Sequence, residues 1–133
     1  MRALAGIVAA ISRWAPRLDG ELRARLYEPF PGVREVTPEV ERTGWMPALY
    51  PGSFEAYCHR PGDLHTELRE AGLEVADLVS VEGMAFMLDD LAERMGDPAG
   101  RAVVLDAARA IERVPELLGI GPHLLATAIR PQP

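Results

Sequence analysis

The chain contains no lysine and no asparagine, and its 14 basic residues are all arginine. Arginine pairs better with carboxylates than lysine does. The bias nevertheless reads mainly as the composition of a GC-rich genome and says little about function. Acidic residues number 20, giving a net charge of −6, and they are scattered among the arginines. Phosphate binding needs a concentrated basic face, so a nucleic-acid partner is not expected. Cys58 is the one cysteine, so no internal disulfide can form, and a reducing cytoplasm is the expected compartment. Cys58-His59 with His65 invites a zinc site, but four convergent ligands at zinc spacing are missing. No stretch approaches the ~18 apolar residues that span a membrane. The opening MRALAGIVAAIS has one Arg before a short apolar run, as a signal peptide would. Ser12-Arg13-Trp14 then follows with no small-residue cleavage site, and a buried strand explains the run at least as well.

At 133 residues, 48% of them apolar, the chain is long enough for a single core and reads as one domain over 1-133. Ala5 to Ile11 is a continuous apolar run, the mark of a strand covered on both faces. Leu18, Leu22 and Leu26 recur every four residues among charges, which predicts an amphipathic surface helix over Pro16 to Leu26. Residues 28-56 then carry Pro29, Pro31, Gly32, Pro38, Gly44, Pro47, Pro51 and Gly52, with Phe30, Trp45, Tyr50 and Phe54 between them. Aromatics set among turn residues predict an irregular lid or binding loop. Further on, Met84, Met87, Leu88, Leu91 and Met95 keep helical spacing and read as core. Asp97-Pro98 predicts a new helix, with Asp as N-cap and Pro in the first turn. Pro115 and Gly119-Ile120-Gly121-Pro122 stop the helical structure, and His123 to Ile129 reads as a last strand. There are no repeats and no low-complexity segment.

The densest signal is YCHRPGDLHTELREAGLEVADLVSVEG, Tyr57 to Gly83. Pro61 suits a first helical turn, and Leu64, Leu68 and Ala71 make one buried stripe. Gly72 supplies a left-handed helix stop. Leu73 to Val81 reads as a strand that ends at Glu82-Gly83. Together with AAISRWAPRLDG and IGPHLLATAIRP, this unit resembles the C-terminal half of class I S-adenosylmethionine-dependent methyltransferases of the small-molecule type. The resemblance covers nearly the whole chain, on soft motifs. The family's distinctive cofactor signature, a strand leading through a Gly-rich turn into a helix, does not occur here, nor does the acidic residue that would hold the ribose.

The resemblance implies an α/β, partial Rossmann-like fold with a small sheet of about three strands. Ala5 to Ile11, Leu73 to Val81 and His123 to Ile129 would be the family's fifth, sixth and seventh strands. Their order would be 5-7-6, with the last strand antiparallel. Ser12, Arg13 and Trp14, then Glu82 and Gly83, then His123 would share the rim where ligands bind in open α/β sheets. Tyr57 and His59 would form the lid side, with Trp45 or Tyr50 above. His123 and His59 would be the catalytic candidates, each either a base or donor to a substrate hydroxyl or a histidine satisfying nearby backbone. Glu82 would bind a substrate amine or hydroxyl, or cap the helix near Met84. Arg13 would contact substrate, or pair with Asp19 or Glu21 on the surface.

The implied function is methyl transfer to a small molecule by a truncated or split enzyme, inactive alone. S-adenosylmethionine is the cofactor of the intact family and is not expected to bind this chain by itself. A non-catalytic binding or assembly module is the alternative. The outer edge of Ala5 to Ile11 would lack its neighbouring strand, so a homo-oligomer or a separate N-terminal half is the expected partner through the strand 5-11 edge.

Overall fold

The computed structural model describes residues 5–133; the start of the signal-peptide reading, residues 1–4, lies outside them. Five strands form one mixed open sheet. They are β1 (Ala5–Ser12), β2 (Trp45–Met46), β3 (Ala56–His59), β4 (Glu74–Ser80) and β5 (His123–Ile129), in the order β2-β3-β1-β5-β4. The sheet thus has two strands more than the three expected. β5 lies between β1 and β4 and runs antiparallel to both. β3 runs parallel to the end of β1, pairing Ile11 with Cys58 and Ser12 with His59.

Helix α2 (Pro61–Glu70) starts at its proline and closes at Gly72, whose φ of 81° is left-handed. Its Leu64 and Leu68 pack on Ala10, Leu124 and Ala126, with Val8, Leu78 and Leu118 around them. Burying two such leucines contributes about 1.5–3 kcal/mol each. These strand residues alternate by twos, so one face of the sheet meets α2. The other face is open. Ile7 is 72% exposed and Val81 45%, Ala5 and Ala9 are exposed, and Leu125 and Ile129 are half-buried. The expectation that Ala5 to Ile11 is covered on both faces is therefore corrected. β3 takes the outer edge of β1 only at Ile11 and Ser12, so over Ala5–Ala10 no strand pairs on that side among the described residues.

Residues 28-56 are not one irregular loop. They contain α1 (Val33–Thr43), with Pro38 inside it, and the short β2. Val33, Thr37 and Val40 are all buried at i, i+4 and i+7, and this stripe outweighs the backbone bond that Pro38 removes. Pro16–Arg23 winds as a π-helix, not as the amphipathic α-helix expected over Pro16 to Leu26. Its wider turn rotates residues four apart off a common face, which leaves Leu22 64% exposed. The methionine-rich stripe also divides, into a 3-10 turn at Ala85–Met87 and α3 (Leu91–Gly96). α4 (Pro98–Ile111) begins at Asp97, whose Oδ2 accepts from the Gly100 N–H at 2.8 Å. No helix among the described residues is long and apolar enough to cross a membrane.

Candidate functional site

At the rim where β1 ends and β5 begins, Ile11 faces His123 across the ladder, and the Ser12 N–H donates to the Pro122 carbonyl at 2.8 Å. A cleft of about 200 Å³ opens there. Ile11, Pro16, Leu26, Pro122 and His123 line one part of it, and Met46 of β2 with Leu49, Tyr50, Ser53 and Phe54 from the segment between β2 and β3 line the rest. Tyr50 is fixed by stacking on Phe30, with ring centroids 4.8 Å apart. Asp19 also lines the cleft, and its carboxylate is taken by the Arg23 guanidinium.

His123 is the one histidine among the residues that line this cleft. Glu82, two residues past the end of β4, accepts from the His123 backbone N–H through Oε2 at 3.2 Å and meets the ring Nδ1 through Oε1. Glu82 thus orients the imidazole and caps no helix: the turn at Ala85–Met87 has no side-chain cap. His123 satisfies no backbone group with its ring. Its Nε2 has no protein partner among the described residues, and its side chain is half-exposed beside the cleft.

Of the sequence-expected pocket residues, only His123 and Tyr50 line this cleft, with Glu82 behind His123. Ser12 is fully buried on the α2 side and donates to the Gly119 carbonyl at 2.8 Å. Strand alternation sends Ile11 to the cleft and Ser12 away from it; counted by twos, the sequence carried this signal. Trp14 is 42% exposed and sits near Gly119, outside the cleft.

Arg13 is a buried structural anchor and lies outside the cleft. Its Nε donates to the Cys58 carbonyl at 2.7 Å, Nη1 to the Glu41 carbonyl at 3.1 Å, and Nη2 to the Tyr57 hydroxyl at 3.2 Å and Asp63 Oδ2 at 3.3 Å. It therefore ties β1, α1, β3 and α2 together. Asp19 and Glu21, its expected partners, pair with Arg23 and Arg17 instead.

Tyr57 and His59 lie on β3 rather than on a lid. The His59 Nε2 meets Glu67 Oε2 at 2.7 Å, its ring packs edge-on to Tyr57 at 4.7 Å, and its Nδ1 is buried without a partner. Trp45, 63% exposed, stands edge-on to Tyr57. The two catalytic candidates are thus on different sides of the rim. Burial pushes the Cys58 thiol above its usual range, against the opposing pull of Arg13. Among the described residues no three His, Cys, Asp or Glu side chains converge on a metal position.

A second apolar groove of about 290 Å³ runs between α4 and the turn before α3, lined by Met84, Leu88, Val103, Ala107 and Ile111. It carries no reactive group beyond Glu82 and Arg94 at its margins. No family model matches the chain, and no curated protein is significantly similar to it.

Proposed function

We propose that these residues form the substrate-side half of a class I S-adenosylmethionine-dependent methyltransferase acting on a small molecule. The single observation that carries this reading is β5, inserted antiparallel between two strands that run parallel to each other. Two further features support it. The sheet face opposite α2 leaves Ala5, Ile7 and Ala9 of β1 exposed, and the edge of β1 over Ala5–Ala10 is unpaired among the described residues. Both are surfaces that the strands and helices of a cofactor-binding half would cover.

The chain's own residues do not fit the cofactor. β1 turns into its helix through Arg13-Trp14-Ala15 and β3 through Arg60, with no glycine in either turn, and β4 reaches the Ala85–Met87 turn past Gly83 alone, without a Gly-rich loop. Gly119-Ile120-Gly121 leads into a strand, not into a helix. The cofactor site is therefore supplied from outside these residues, and the cleft beside His123 is the substrate side of the assembled pocket.

Titration calorimetry tests this. The 133 residues alone should give no heat with S-adenosylmethionine. Produced together with the sequence encoded immediately upstream, they should form a complex that binds it in the micromolar range. Tight binding by these residues alone would refute the assignment to the substrate side. A stable complex that ignores the cofactor would refute the methyltransferase reading.

The same exposed face and edge favour a second reading, a binding or assembly module that pairs with a copy of itself. Light scattering across a dilution series checks it, and a monomer at high micromolar concentration would exclude it.

A further inference from the structure

We infer that the cleft beside His123 takes a flat aromatic alcohol, with its hydroxyl donating to the His123 Nε2. The Glu82 carboxylate accepts from Nδ1, and in a neutral imidazole this fixes the proton on that nitrogen. Nε2 is then a lone-pair acceptor, and it has no protein partner among the described residues. A ligand at this point must therefore bring a hydrogen-bond donor.

The rest of the wall selects among donors. Met46, Leu49, Tyr50 and Phe54 present apolar and aromatic surface, and Tyr50 is held rigid by Phe30. A volume of about 200 Å³ lies below the range that takes drug-sized ligands, so one or two fused rings fit. None of the lining residues is an arginine, and Asp19 is acidic, so a carboxylate or phosphate is disfavoured. Asp19 is itself occupied by Arg23, which leaves little to attract an ammonium group. A neutral hydroxyl on an aromatic ring satisfies every one of these constraints. Glu82 would act through His123, as a positioning residue.

The assignment of such a ligand as substrate rests on the methyltransferase reading; its binding does not. The test uses the whole chain with 2-naphthol, 2-methoxynaphthalene and naphthalene as probes. Isothermal titration gives the affinities, and ¹⁵N-resolved spectra of the histidine ring give the tautomer and the position of the ligand. Saturable binding of 2-naphthol should shift the His123 Nε2 resonance. The two probes without a hydroxyl should bind about fivefold or more weakly. His123→Leu, at a half-exposed position, should remove this difference while the chain stays folded by circular dichroism. Equal affinity for 2-naphthol and its methyl ether would overturn the inference. So would a preference that survives His123→Leu, or shifts confined to the Met84–Val103 groove. If 2-naphthol binds as stated but a cofactor-loaded, completed enzyme leaves it unmethylated, the substrate assignment falls and the binding site stands.

Discussion

Replacing Arg13 by methionine should cost the fold about 3–4 kcal/mol. The side chain is 3% exposed and makes four hydrogen bonds to three other elements, α1, β3 and α2. Methionine keeps most of the packing volume but donates nothing. The Cys58 carbonyl, whose bond to Nε is buried, and the Glu41 carbonyl, whose bond is partly buried, both lose their side-chain donor. Each such orphan costs about 1–3 kcal/mol, and the two Nη2 bonds add a smaller loss. With a urea slope of roughly 1–3 kcal/mol/M for a chain of this size, the unfolding midpoint should fall by about 2 M. Urea denaturation followed by far-ultraviolet circular dichroism reads this directly.

Asp63→Asn is the control. Asp63 is 46% exposed, so its ion pair with Arg13 is screened and should contribute under about 1 kcal/mol. Arg13→Lys should recover little, because one ammonium cannot reach the carbonyls of Cys58 and Glu41 and the Tyr57 hydroxyl together. If Arg13→Met moved the midpoint by less than about 0.5 M, the anchor would be fictional. If Asp63→Asn cost as much as Arg13→Met, the charge pair would hold the cluster and the carbonyl bonds would not.

Three further outcomes follow from the same region. Gly44→Ala should destabilise by at least about 2 kcal/mol in the same denaturation assay: φ there is +85°, and an added Cβ would lie 2.7 Å from both Arg13 Nη2 and Tyr57 Cε2. Cys58, fully buried with its thiol shifted upward by desolvation, should resist a chromogenic disulfide reagent in the native state and react fully in urea. Because the folded-state value is the raised one, Cys58 contributes stability below the ordinary thiol range. That contribution is lost as pH rises from there through the folded value, and a Cys58→Ala variant should show a smaller alkaline loss.

Elements set by local chemistry could be read without coordinates. Pro61 at a helix start, Gly72 at its stop, Asp97-Pro98 as a cap and His123–Ile129 as a strand each depend on neighbours within a few residues. The α/β class followed from the same signals. The helix over Val33–Thr43 was hidden because Pro38 inside it, with Pro29 and Pro31 before it, argues for a loop locally, and only the burial of Val33, Thr37 and Val40 against the rest of the molecule reverses that balance. The position of His123 at the start of a strand, after Gly121-Pro122, was legible from the strand pattern. That Glu82 holds its ring was not, because the two are 41 residues apart and meet only when β4 lies beside β5. Arg13 is the sharpest case. Its charge marks it as a surface or substrate-binding group, and the sequence places it at a strand end between Ser12 and Trp14, two other expected pocket residues. Its role was decided by four acceptors that come from distant parts of the chain and converge only in the folded state.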